Sequence, residues 1–350
     1  MSTIIRARSP YYIREADVAN LSSTELKLYI FEGVSPGDLP ASPQYTLTKE
    51  PINSELAVTF EISEFIRDYF DNVFTGLFTS SAGSVLHVRA IIQHSVSTGS
   101  APSPTTNDYL AFDSYTEFHD GVNYGYSTNQ VPFSSTILYY GQTRMFVPVL
   151  AEKTTQVDFK YNGAVVQTHS ISDTGNTNQK IQYPFFTGSN VDSVVFTQAS
   201  SATVTRTIKS FDSCKYPIIK ISFLNKYGAL QNLFFHKKSV ESMSTTKEQF
   251  NRNLLNYTSL SYSTKAHTKN VYNKKGNESI LLNSGFVDEE LNSTFEELLL
   301  SEYVWMTKDA VIYPVVVTDS SFTYKTSLND KLINYTMNFD YAYDLINNVH

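Results

Sequence analysis

Apolar and polar residues alternate strictly near the end of the chain. Ile333, Tyr335, Met337, Phe339 and Tyr341 are separated by Asn, Thr, Asn and Asp. Side chains of a β-strand point alternately to the two faces of a sheet, so this pattern predicts a strand with one buried and one solvated face. Half-buried sheet is therefore the first structural feature that we expect in this chain.

Composition favours sheets in the rest of the chain as well. Aromatic residues make up 14% of the 350 residues, with 24 Tyr and 23 Phe, whereas charged residues make up only 17%. Tyr, Phe and Thr suit the pleated, half-buried surface of a sheet. Hydrophobic residues, at 41%, are numerous enough to build a core. We therefore predict a mainly β protein.

The chain divides into three predicted parts. Residues 1–148 are predicted to form an N-terminal β domain with one short helix at 62–70, where apolar residues recur at helical spacing. Residues 149–215 are predicted to form a small immunoglobulin-like module, because short strand candidates recur about every 8–12 residues. These two parts are the expected β-sandwich-like modules. Residues 216–350 are predicted to form an antiparallel α+β domain with one main helix from 288 to about 303.

A long polar excursion interrupts the last part near 242–277. It is rich in Asn, Ser, Thr and Lys, and a structureless segment of that length is uncommon inside a compact domain. Two interpretations stay open at this point. The segment is either a surface loop with one or two β-turns, or an arm that becomes ordered on a partner.

Charge is distributed unevenly around this excursion. Residues 236–275 hold eight Lys or Arg and two Glu, whereas 276–307 hold seven acidic residues and no basic one. Complementary patches of this kind would hold neighbouring copies in a fixed register. Solvated faces and pairing within the chain are the alternatives. The candidate interface residues are Lys237, Lys238, Lys274, Lys275, Glu289, Glu290, Glu296 and Glu297.

Sequence motifs of catalysis and of nucleotide binding are missing from the chain, so we expect no enzyme, no cofactor and no metal. Asp113, Glu117 and His119 form the best cluster of reactive side chains, because on a strand they would share one face. Such a cluster would suit acid–base work or a metal; a solvated strand face is the ordinary alternative. Cys214 is the single cysteine, which excludes a disulfide within the chain.

Net charge and hydropathy narrow the expected partners. The net charge of −7 argues against general nucleic-acid binding, which needs a basic footprint. No apolar run approaches the ~18 residues of a membrane-spanning helix, so we expect no membrane insertion. The first residues lack the apolar region of a secretory signal. We expect synthesis in a cytoplasm.

Several segments of the sequence are similar to segments of virion proteins of tailed bacteriophages, especially those infecting Bacteroidota and marine bacteria. The clearest is 218–229 (IIKISFLNKYGA), and the others follow in the same order. They are KKS at 237–239, LNSGFVDEE at 282–290, LLLSEYVW at 298–305 and YKTSLNDKLINY at 324–335, preceded near the start by SPYYI at 9–13 and EISEFIRDY at 61–69. The resemblance is weakest across 100–215.

This resemblance implies a non-enzymatic structural protein of the phage tail, neck or baseplate, located in the virion after synthesis in the host cytoplasm. Its expected partners are copies of itself in a symmetric ring and other phage tail or neck proteins. A receptor- or carbohydrate-binding tail fibre module is the alternative, and a glycan-cleaving enzyme using Asp113 and Glu117 is a third. The fibre module would expose a platform built from Tyr109, Tyr115, Tyr124, Tyr126, Tyr139 and Tyr140.

Overall fold

A computed structural model describes residues 3–15, 18–52, 57–76, 78, 84–127, 129–140, 144–188, 190–211, 215–321, 323–324 and 332–346. Strands hold 50% of these described residues, and helices, with the 3₁₀ turns included, hold 7%. The predicted mainly β fold with one main helix near the C-terminal end is therefore confirmed. Cys214 lies outside the described residues.

The first part of the chain contains one five-stranded sheet, with strands in the order β1-β7-β6-β3-β4, and a β2–β5 pair. Its elements are β1 (Thr3–Arg6), β2 (Tyr12–Glu15), β3 (Leu21–Phe31), β4 (Tyr45–Lys49), β5 (Val58–Glu61), α1 (Ser63–Arg67), β6 (Val85–Val96) and β7 (Thr105–Phe112). The predicted helix at 62–70 is confirmed in a shorter form. Ile62 and Ile66 pack with Leu26 and Leu28 of β3 in one buried core, which explains the helical spacing of the apolar residues.

The middle part is a second sheet, in the order β12-β11-β15-β16-β8. The elements of this part are β8 (Ile137–Tyr140), β9 (Arg144–Phe146), β10 (Val149–Leu150), β11 (Thr154–Tyr161), β12 (Ala164–Ser170), β13 (Ile181–Gln182), β14 (Phe185–Thr187), β15 (Ser193–Gln198) and β16 (Thr203–Ser210). Because β8 pairs with β16 and β9 pairs with β14, the strands from 137 onward join the middle sheet system and not the first. This sheet system therefore begins before the predicted boundary at 148.

Two layers enclose the core of the middle part. Val157 and Phe196 of the five-stranded sheet face Met145 and Phe186 of the two-stranded β9–β14 sheet. The second layer is smaller than that of an immunoglobulin sandwich, and β8 runs parallel to β16. The short strands at regular spacing thus belong to a two-layer β module. Its second layer is only the two-stranded β9–β14 sheet.

The last part is a seven-stranded antiparallel sheet, in the order β18-β17-β21-β22-β23-β20-β19. Its elements are β17 (Ile219–Leu224), β18 (Leu230–Phe235), β19 (Val240–Asn251), β20 (Lys269–Asp288), α2 (Asn292–Leu299), β21 (Val304–Lys308), β22 (Val311–Val317) and β23 (Leu332–Tyr341). The predicted alternation at 333–341 is confirmed, since Ile333, Tyr335, Met337 and Phe339 are all buried.

Helix α2 covers this sheet. Phe295 is fully buried, with its ring centroid 4.5 Å from that of Tyr335 and 6.2 Å from that of Phe235. The predicted helix at 288–303 is shorter in the structure, because a 3₁₀ turn at Glu289–Leu291 precedes α2. Residues 320–321 and 323–324, before the last strand, form neither helix nor strand.

The β17–β18 turn joins this last part to the first. Gly228 lies in the turn with φ +75°, and a Cβ placed there would lie 3.1 Å from the backbone oxygen of Asp113. The Tyr115 backbone N–H donates to the Lys226 carbonyl at 3.1 Å beside it. The turn thus needs glycine for its left-handed backbone and for the close approach of a second chain segment.

Replacing Gly228 by alanine is expected to destabilise the protein more than the matched change at Gly163. Gly163 has φ +78° in the β11–β12 turn, with no atom within 4 Å of its Cβ position. Both changes carry the left-handed penalty of about 1 kcal/mol, but only Gly228→Ala adds overpacking, at about 1–3 kcal/mol. Urea unfolding of both variants measures the difference. Equal losses would show that the contact with Asp113 relaxes freely.

Candidate functional site

A two-stranded ribbon projects from the edge of the C-terminal sheet. Strands β19 and β20 pair from Val240–Leu281 to Asn251–Lys269, but β20 pairs with β23 only from Ser279 onward. We call residues 243–278, beyond that point, the arm. All twelve residues of β19 are exposed. At about 3.3 Å per residue, the paired part of the arm extends about 30 Å from the body.

The predicted excursion at 242–277 is therefore regular β structure over most of its length and not an irregular loop. Only 252–268 form the connection between the strands. There the side chains of Asn253 and Asn256 accept hydrogen bonds from the backbone N–H groups of Leu255 and Thr258, both at 3.0 Å. Such Asx turns hold a polar connection in a defined shape without a core.

Large apolar side chains of the arm are exposed. Leu260 is 77% exposed and Tyr257 72% exposed. The other exposed members of this set are Met243, Phe250, Leu255, Tyr262, Val271 and Tyr272. An isolated two-stranded hairpin is only marginally stable in water, and clustered exposed apolar side chains are typical of interaction sites.

The arm is also basic. It carries six Lys or Arg and two Glu; the cations are Lys247, Arg252, Lys265, Lys269, Lys274 and Lys275. Within the described part of the chain, none of these six forms an ion pair. Lys247 lies directly opposite Lys274 in the strand register, and like charges in that position destabilise a ladder.

The predicted acidic residues lie at the other end of β20. Glu289 and Glu290 are exposed in the 3₁₀ turn that follows the strand, and Glu296 is half-buried on α2. From Lys275 to Glu289 the chain advances fourteen residues along β20, which corresponds to about 40 Å. At that distance, Lys274 and Lys275 cannot pair with Glu289 and Glu290 within one chain.

Lys237 and Lys238 lie neither on the arm nor in the acidic turn that follows β20. They are exposed in the β18–β19 connection, where the Lys237 backbone N–H donates to the Asn283 carbonyl at 3.2 Å. The four predicted lysines therefore do not form one patch, because Lys238 is eight residues along the strand from the level of Lys275, or about 25 Å.

Glu297 is not a surface residue. It is only 4% exposed, and burial raises the pKa of its carboxyl to about 7. Neither carboxyl oxygen has a hydrogen-bond partner among the described residues, and the nearby Ser134 and Lys226 favour the charged form less than burial disfavours it. The prediction of Glu297 as an interface residue is therefore wrong, because its side chain is buried in the body.

Only part of the candidate acid–base cluster is assembled, since His119 Nδ1 lies 3.4 Å from Glu117 Oε2 at the surface. Asp113 is buried and accepts a hydrogen bond from Asn72 Nδ2 at 2.6 Å, whereas Glu117 is exposed and pairs with Lys226. Residues 114–117 are irregular and lead into a 3₁₀ turn at Phe118–Asp120, so the expected strand face does not exist. No group of three His, Cys, Asp or Glu side chains in the described residues is placed to hold a metal.

The predicted tyrosine platform is used for packing instead. The Arg6 guanidinium lies 4.4 Å from the ring centroid of Tyr126, and that of Arg8 lies 5.2 Å from the ring centroid of Tyr115. Tyr109 meets Tyr11 edge to face. The Tyr139 hydroxyl donates to the Asp288 carboxylate at 2.8 Å. Tyr124 is exposed, and the side chain of Tyr140 lies outside the described residues.

An open groove of about 380 Å³ lies between β12 and the β13–β14 segment. Its polar nitrogens bond to its own walls. Gln182 Nε2 donates to the carbonyls of Ser172 and Gln179, and His169 Nε2 lies 2.7 Å from the Phe185 carbonyl. These nitrogens are therefore engaged before any sugar hydroxyl could bind them.

Comparison with protein-family models gave no match, and comparison with curated proteins gave none either. Among the described residues, no helix combines the length and the apolar character needed to cross a membrane. The arm, with its exposed apolar and basic side chains, is the candidate functional site of the described residues.

Proposed function

We propose that this chain is a non-enzymatic structural protein of a bacteriophage virion. In this proposal it assembles in several copies in the tail, as part of a ring at the distal tail and baseplate or at the head–tail junction. Its mechanism is geometric, since β modules present fixed surfaces to symmetry-related copies and closure of the ring occupies every interface.

The observation that carries the proposal is the arm. A basic ribbon with exposed Tyr, Leu, Phe and Met side chains extends from a body with a buried core in each of its three parts. Such a ribbon contributes little to the stability of its own chain but offers backbone, apolar and charged groups to a neighbour. The segments that resemble virion proteins of tailed phages support the same assignment.

Particles of the virus test this proposal directly. We expect antibodies against the chain to label one level of the tail or neck in electron micrographs, and quantitative mass spectrometry to give several copies per particle. A chain in which residues 243–277 are replaced by a short Asn-Gly turn, supplied during infection, is expected to fold and yet be absent from particles. Purified particles that lack the full-length chain would refute the proposal.

A further inference from the structure

We propose that the arm of one copy binds the acidic end of β20 in a second copy, with Lys247 and Lys274 facing Glu289 and Glu290. The contact is head to tail, and it rests on the proposed structural function. It names the partner of the arm, which is another copy of this chain, and the charged groups that set the register between copies.

One face of the arm is built for an anionic partner. Residues directly opposite each other in an antiparallel ladder share a face, so Lys247 and Lys274 project side by side, with Cβ atoms about 5 Å apart. Two ammonium groups at this spacing repel each other. No ion pair offsets that repulsion in the described part of the chain, so a carboxylate between them would convert a destabilising pair into a binding site.

Apolar side chains surround these lysines on the same face. Met243 lies four pairs below them, opposite Glu278, and is 59% exposed, and Val271 lies two pairs above and is 49% exposed. Leu345 packs over Gly276 between these levels, at 3.5 Å from the Cβ position of the glycine, and remains 50% exposed. This face therefore combines a charged centre with apolar flanks, as protein interfaces do.

The acidic end offers the complementary groups. Glu289 and Glu290 are adjacent, exposed and free of ion pairs to the described cations. Their neighbour Asp288, by contrast, is already paired with Lys209 and bonded to Tyr139. The unpaired carboxylates are thus those that project beyond the end of the strand.

Placement of the two charges at opposite ends of one strand determines the kind of contact. The lysine pair and the glutamate pair lie about 40 Å apart, so they cannot meet in one chain. Each copy carries one lysine pair and one glutamate pair. Copies that pair basic end to acidic end use two different surfaces, which makes a heterologous contact that closes into a ring or continues as a filament. This is the geometry that the proposed function requires.

Charge reversal tests the pairing. Lys247→Glu with Lys274→Glu, and separately Glu289→Lys with Glu290→Lys, should each raise the dissociation constant for self-association about ten-fold or more in sedimentation velocity. The two variants mixed, and one chain carrying all four changes, should return to within about three-fold of the wild type. Lys237→Glu with Lys238→Glu is the matched control, expected to change little, because these lysines lie off the arm.

Each result of this experiment either supports or contradicts the proposed pairing between copies. If reversal leaves self-association unchanged, or if mixing does not restore it while circular dichroism shows folded chains, the pairing is wrong. A wild-type chain that stays monomeric at all concentrations and salt levels also overturns the pairing. None of these results bears on whether the chain is present in particles, which the labelling experiment decides separately.

Discussion

Replacing Asn225 by alanine is expected to lower the free energy of unfolding by about 3–5 kcal/mol. Asn225 is fully buried at the start of the β17–β18 turn. Its Nδ2 donates to the Pro132 carbonyl at 2.8 Å and to Gln231 Oε1 at 3.0 Å. Its Oδ1 accepts from the backbone N–H groups of Tyr227 and Ala229, both at 3.0 Å.

The expected loss is large because one side chain satisfies four buried groups. Alanine would leave two backbone donors, the Pro132 carbonyl and the Gln231 amide oxygen without this partner, and each unsatisfied buried group costs about 1–3 kcal/mol. Relaxation and entering water reduce the sum. Asn225 also connects the segment before β8 to the C-terminal sheet. We therefore expect unfolding of the variant to remain cooperative and its midpoint to shift to a lower urea concentration.

Asn253→Ala is the matched control. Asn253 is exposed on the arm and also accepts a hydrogen bond from a backbone N–H two residues on. Its replacement should change the free energy of unfolding by less than about 0.5 kcal/mol. Urea denaturation followed by Trp305 fluorescence and by circular dichroism gives both values. Similar values for the two variants would contradict the role assigned to Asn225.

Local sequence patterns predict those elements in which side-chain burial alternates regularly or a turn requires particular residues. The strand at 332–341 was predictable because its faces differ in burial. The β11–β12 hairpin was predictable because Asn162 and Gly163 take the left-handed backbone of a tight turn, with φ +49° and +78°. In both cases a local rule and the final fold agree.

The arm escaped prediction as β structure for the opposite reason. Both of its faces are exposed over most of its length, so no alternation of apolar and polar residues marks its strands. Burial of Glu297 is likewise invisible in the sequence, where it is indistinguishable from Glu296. Thr294 and Glu297 are buried on one side of α2, besides the apolar face that packs on the sheet, and that second contact is set by tertiary structure.

Glu297 gives the second large effect, a stability that falls as the pH rises. The carboxyl has an ordinary pKa of 4.5, which burial raises to about 7 in the folded protein. Between these values the folded state holds a proton that the unfolded state has released. Since the folded state then binds more protons, the free energy of unfolding decreases with rising pH across this window, by about 3 kcal/mol in total.

Glu297→Gln removes this titration while it keeps a neutral polar side chain of the same shape. The free energy of unfolding of the variant minus that of the wild type is therefore expected to increase by about 3 kcal/mol between pH 4.5 and pH 8. All other titrating groups are shared by the two proteins and cancel in the difference. A flat difference would mean that the buried carboxyl ionises as easily in the folded chain as in the unfolded one.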